Sequence, residues 1–326
     1  MAKSMDQDIA QLNADCSVEI VLRDELAHGD ALIGTIAPIL RHLLANDEHS
    51  VFSDEIIARV RGMMADVARQ ILTEIAIAAG NPDDRDHSAE QVSALVESLI
   101  GHGGFLAHVH ALALEWQLTE RMQARLALDP VLPPLLQALI ASADAVVASS
   151  AMALLASQAR FATSQRRMQL PLSELPGDLL YAALLALRGH VGDDPAAQPA
   201  AGQAEQAVRS RFDEGRSRLG LLSLIVTGMG GGATAALAIT HAGVGIFLSA
   251  LALASGQDRD MAVLATNEGQ LARLALGLRA AGLKPQTVEQ QFVSLHPEVA
   301  LPTGFEQLGS DQAAALLARS ASYPGG

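Results

Sequence analysis

A single cysteine, two lysines and very few aromatic side chains set the first limits on this 326-residue chain: seven Phe, two Tyr and one Trp, 3% in all. With Cys16 alone, intramolecular disulfides and multi-cysteine zinc or iron–sulfur sites are excluded, as expected for a reducing compartment. Only Lys3 and Lys284 are lysines among 22 basic residues, a bias that carries no functional weight. Strand formers are scarce too. The apolar half of the chain comes from Ala and Leu, which have the best helix propensities, whereas sheets draw on β-branched and aromatic residues. The expectation is an all-α protein, an irregular, helical-repeat-like (superhelical) bundle of about a dozen helices with almost no sheet. A chain of this length hides roughly three quarters of its unfolded surface, so a full-sized core needs no staples.

Positive charge is in short supply. The net charge is −14, and residues 1–100, with 18 acids and 7 bases, hold −11 of it. Such a field repels polyphosphates and anionic headgroups, so no nucleic-acid partner is expected. No apolar h-region follows the first ten residues, MAKSMDQDIA, and the expected location is cytoplasmic.

Helical periodicity runs along most of the chain. Leu32, Ile36, Ile39, Leu40 and Leu43 form one stripe, with Pro38 placed to bend it. Ser53, Asp54 and Glu55 open a helix that Gly80-Asn81-Pro82 stops. Ser88 and Gln91 spell a capping box for a helix ending near Ile100. A further helix is expected from Phe105 to about Leu128, and Asp129-Pro130 then reads as an N-cap before a long helical run, Leu135 to Arg160. Leu179 to Arg188 is another apolar helix, Ala204 to Arg218 a charged one, and a short helix is expected near Asp311 to Arg319. The Pro/Ala/Gly-rich stretch 192–202 is the best linker, dividing an N-terminal helical domain (1–191) from a C-terminal one (203–326).

Between Arg218 and Asp258 there is no charged residue. The stretch 219–256 is long enough to span a bilayer, but Gly228, Gly230, Gly231 and Gly232 interrupt it, as does His241-Ala242-Gly243-Val244-Gly245, and neither end has an aromatic belt. The favoured reading is two or three short helices forming a buried hairpin. The alternative is a membrane anchor.

Chemistry-bearing motifs are sparse. His102, His108 and His110 fall at spacings of six and two, which do not share a helical face as zinc-binding histidines at i, i+4 do. A histidine-containing enzyme site near 102–110 remains the third reading. The run Gly-Met-Gly-Gly-Gly lacks the Gly-Lys-Ser/Thr ending of a phosphate loop and reads as a helix stop that lets the next helix pack closely. Asp83, Asp84 and Asp86 lack the pattern of a calcium loop and read as a solvated turn. No catalytic residue, cofactor or metal ligand is assigned. Two basic clusters, Arg160, Arg166 and Arg167, then Arg209, Arg211, Arg216 and Arg218, either pair with acids of the chain or dock an acidic partner.

Two segments carry a resemblance. Asp129, Pro130, Pro133 and Leu135-Leu136 form one motif, and Phe247, Ala250 to Ala252, Ser255, Gly256 and Ala280 to Leu283 a second. In these the chain resembles the DUF2336 family of alphaproteobacterial helical proteins over about its last 200 residues. The resemblance implies a cytoplasmic α-helical protein with a regulatory role and brings no catalytic residues. Together these readings point to a non-enzymatic adaptor or regulatory protein that acts by protein–protein interaction. An exposed Ala/Leu stripe would suit a partner groove or a homo-oligomer.

Overall fold

The computed structural model describes residues 2–45, 54–81 and 86–320. Ser53, Asp83 and Asp84 lie outside them. Among the described residues there are α-helices and short 3-10 turns and no strand, an all-α bundle. The helices are α1 (Ala2–Ala45), α2 (Asp54–Ala78), α3 (Ala89–Gly101), α4 (Gly103–Leu126), α5 (Pro134–Ile140), α6 (Ala145–Arg166) and α7 (Gly177–Val191). They continue as α8 (Gln198–Arg211), α9 (Arg218–Gly228), α10 (Ile239–Ser255), α11 (Arg259–Leu264), α12 (Leu271–Ala280), α13 (Pro285–Leu295) and α14 (Ser310–Leu317).

These helices form two compact units, each assembled from separated stretches of chain. The first comprises Met1–Ile36, Leu118–Ala141 and Val226–Tyr323; the second comprises Ala37–Gln117 and Ser142–Ile225. The stretch 192–202 therefore lies inside the second unit, and from Gln198 it is helical, as the start of α8.

Local signals explain most helix ends. The Ser88 hydroxyl accepts the Gln91 N–H at 3.2 Å and the Gln91 side chain accepts the Ser88 N–H at 3.1 Å, a complete capping box. Asp129 caps a turn, accepting the N–H groups of Val131 and Leu132, and the regular helix begins only at Pro134. The long run expected from Leu135 breaks at Ala141. Asp144 then accepts from Val146 and Val147 and starts α6 as a separate helix. Pro38 sits inside α1, which continues through it to Ala45.

In the first unit α10 is the central element. Residues Ala242 to Ala252 are all buried, and α10 packs on α5, α11, α12 and α13. The charge-free stretch is thus divided into an 11-residue helix, a 3-10 segment and the segment Ile239–Ser255, which is core and kinked at Gly243, within the interruption expected at 241–245. Burial of Phe247, Leu248, Leu251, Leu264, Leu274 and Phe292 supplies the apolar driving force. Arg273, 1% exposed, ties α1 to this core through an ion pair with Asp30 and through Gln257 and Ser320, each at 3.1 Å.

The glycines divide differently from the expectation. At Gly228, Gly230 and Gly232 a Cβ would meet open space, so this run stops α9 without serving close packing. Close packing belongs to Gly243, where φ is +75° and ψ 163°, a region open essentially only to glycine, and a Cβ would fall 2.7 Å from Pro133 Cγ. Gly243→Ala is expected to destabilise the first unit by about 3 kcal/mol, combining backbone strain with a steric clash. Gly256→Ala, also at positive φ but with nothing near its Cβ, should cost only about 1 kcal/mol. Denaturant midpoints of the two variants decide this, and equal losses would contradict it.

His296 provides a second check on this unit. It is 1% exposed, its Nε2 donates to the Thr266 carbonyl at 2.9 Å, and Glu298 lies 3.8 Å from Nδ1. Burial, reinforced by Arg121, holds its pKa below the ordinary value. The unfolded chain binds a proton near pH 6.5 that the folded site resists. The histidine's contribution is therefore complete above that pH and is lost as pH falls through the depressed folded value. Thermal midpoints should drop as pH falls below about 6.5, and less steeply in His296→Gln.

Candidate functional site

The second unit holds a cleft of about 520 Å³ at the C-terminal end of α6. Its walls are the last two turns of α6, the loop 167–171, the 3-10 turn Leu172–Glu174 and the start of α9, with Leu112 of α4 also lining it. The volume falls in the range of small-molecule pockets. Leu112, Phe161, Leu170, Pro171 and Leu219 give it apolar walls, and Arg160, Arg167, Glu174 and Arg218 bring charge.

Helix α2 fixes the loop. Residues 59, 62, 66 and 70 recur at helical spacing, and each receives part of the segment 165–172. Arg59 donates to the Gln165 carbonyl at 2.5 Å, and Asp66 accepts the Leu170 N–H at 2.9 Å. Gln70 brackets Pro171, donating to the Leu170 carbonyl at 2.9 Å and accepting the Leu172 N–H at 3.0 Å. Gly62 lets Met168 approach so closely that a Cβ there would lie 2.6 Å from that of Met168, itself at φ +54°. Burial pushes the Asp66 carboxyl above its usual pKa, opposed by the hydrogen bonds it accepts.

Behind the cleft lies a buried ion pair. Arg218, 4% exposed, donates to Glu115 at 2.5 Å and to the Gln158 side-chain oxygen at 2.5 Å, and its guanidinium sits 3.7 Å from the centre of the Phe161 ring. Glu115 is fully buried. The Arg218 N–H also donates to Glu174 at 2.7 Å, joining the start of α9 to the 3-10 turn.

The arginines anticipated from sequence separate into two groups. Arg160, Arg167 and Arg218 line the cleft. Arg166 lies over the Trp116 ring, Arg209 pairs with Glu205 and lies over Tyr181, and Arg211 pairs with Glu74 at 2.6 Å. Arg216 stands exposed in the turn before α9. Arg160 approaches Glu174 only to 3.9 Å, and Arg167 makes no ion pair among the described residues. The histidines do not converge: His102 ends α3 in solvent, whereas His108 and His110 are buried in α4. Among the described residues no three His, Cys, Asp or Glu side chains come together to hold a metal ion.

Sequence reasoning passed over Glu115, Gln158, Phe161 and Glu174. A trace of the first was present, since Glu115 is a lone acid in the apolar run Ala111 to Leu118. Comparison with family models, curated proteins and solved structures finds no match to this chain.

The ion pair gives a direct stability test. Glu115→Leu leaves the Arg218 charge buried without its carboxylate and should cost about 4 kcal/mol, whereas pairing it with Arg218→Met should recover most of that loss. Urea unfolding of the two variants measures both. A double variant no better than the single would deny the coupling.

Proposed function

We propose that this chain is a non-enzymatic adaptor or regulatory protein that binds another protein along the outer face of α6. The observation that carries the reading is the inverted polarity of that helix. Its inward face holds Ser157, Gln158 and Gln165 beside Ala151, Leu154 and Ala162, while Ala145, Val146, Met152, Ala153, Ala156 and Ala159 face solvent. Val146 is 75% exposed and Met152 51%, and only 28% of the helix's most apolar stretch is buried. An exposed apolar row of this kind, interrupted by Ser149, marks an interaction site on a protein surface. The row ends at Arg160 and Arg167, which favours a partner segment whose apolar face is followed by acidic residues. Membership of the DUF2336 family, with the cytoplasmic regulatory role it implies, is part of this proposal and agrees with the all-α fold.

Membrane association is the competing reading, and it moves from 219–256 to a new place. Helix α6, with 22 residues, is long and apolar enough to cross a bilayer, whereas α10 is core. Spanning would carry Gln158 and Gln165 into lipid and strip them from their partners around Arg218 and Arg59, a cost that favours the protein partner.

Met152→Glu separates the outcomes. The wild-type chain, tagged and purified from its source cells, should retain a partner in near-stoichiometric amount, and the variant should lose it with an unchanged melting temperature. Equal retention by both would refute the surface. Sedimentation with anionic vesicles in place of a partner would establish the membrane reading, and a shift from dimer to monomer in light scattering would identify the partner as a second copy.

A further inference from the structure

We propose that the cleft at the end of α6 is a binding site for a small amphipathic monoanion, an apolar body carrying one carboxylate. This goes beyond the partner surface and does not depend on it. Three observations converge. The cavity of about 520 Å³ has the size of a small-molecule site, and Leu112, Phe161, Leu170, Pro171 and Leu219 give it apolar walls that an alkyl or aryl body would dry. Arg167 lies on the wall and makes no ion pair among the described residues, so its planar fork is available for bidentate binding of a carboxylate.

The third observation is the local charge. The guanidiniums of Arg160, Arg167 and Arg218 stand against the carboxylates of Glu115 and Glu174, which leaves one positive charge in a chain whose net charge is −14. Glu174 accepts the Arg218 N–H and stays close to Arg160, so it sets a limit on anionic character: a second negative charge on the ligand would meet it. Carboxylates therefore fit and phosphate dianions do not. The hydroxyls of Ser164 and Ser173 also line the cleft and can complete the headgroup's hydrogen bonds.

The chain carries its own reporter. Trp116 is its one tryptophan, and its ring meets that of Phe161 edge-on at 6.1 Å. A ligand against Phe161 should change its emission. The purified full-length protein is titrated with decanoate, decanol and decyltrimethylammonium below their micellar concentrations, by fluorescence and calorimetry. Decanoate should saturate at one per chain, decanol should bind about tenfold more weakly for want of the charge-assisted hydrogen bond, and the cation should not compete.

Arg167→Gln, at an exposed position, should weaken decanoate about tenfold with little effect on decanol. Ala159→Phe, which fills the mouth from an exposed site, should abolish both. Equal affinity for decanoate and decanol, or binding that survives Ala159→Phe, would overturn the proposal by showing unspecific apolar association. Tighter binding of acetyl-Ala-Leu-Leu-amide, which has no carboxylate, than of decanoate would overturn it in favour of an apolar polypeptide segment. Because Met152→Glu leaves the cleft intact, its decanoate affinity should equal that of the wild type, and the fate of the partner surface is read separately.

Discussion

The buried pair of Arg218 and Glu115 is the constraint around which the second unit is arranged. Glu115 has no exposed surface and Arg218 is 4% exposed at the cleft wall, so their hydrogen bonds must be found inside, among residues brought from three separate stretches of the chain. Glu115 arrives on α4, Gln158 and Phe161 on α6, and Arg218 at the start of α9. Such a pair contributes little net stability compared with apolar residues of equal volume, but losing one partner is costly. Its value lies in register. Only one rotation of α6 places Gln158 and Phe161 together on the guanidinium, and that rotation turns the Ala145–Met152–Ala156 row outward.

That consequence explains why so much was readable and why the key step was not. Composition alone gave the all-α class, since Ala and Leu dominate and strand formers are few. The Ser88 box and the stop at Gly80 were legible because they act within four residues. The break between α5 and α6 was written there too, in Ser142-Ala143-Asp144, but the apolar run on either side masked it. Helix α6 resisted in another way: alanines occupy both faces, so hydrophobic periodicity does not say which one is buried. What decides is Arg218, 60 residues from Gln158 and 103 from Glu115 in sequence. No local pattern reports a contact of that separation. The two arginine clusters were legible as clusters, yet the chain divides them by burial and distance, sending Arg209 and Arg211 to acids and leaving Arg167 at the cleft.

The glycines teach the same lesson in backbone terms. The Gly-Met-Gly-Gly-Gly run draws the eye, yet it ends α9, and its Gly228, Gly230 and Gly232 face open space. Gly243 sits in an apolar stretch, at the kink of α10, and it carries the steric requirement because Pro133, 110 positions earlier, lies where its Cβ would be. Density of a residue type marks where a helix ends. Position against a distant neighbour marks where a residue cannot be exchanged.

The cleft and the outer face of α6 also share a cause. The loop after α6 is fastened to α2 through Arg59, Asp66 and Gln70, and its glycine contact at Gly62 sets how near Met168 comes. With the loop held on one side and Arg218 fixing α9 on the other, the last turns of α6 are packed on their inner side only. The cleft opens along that boundary, where rigid walls from two anchored segments meet a helix whose outer face has no cover. A molecule bound against Phe161 and Arg167 would touch both the loop and α6. The energy it supplies can favour one position of the helix only so far as it binds that position better than another. Because Gln158 and Phe161 on Arg218 hold α6 in one rotation, the inner contacts that wall the cleft also decide which residues form the outer row, and the two features follow from the same fixed helix end.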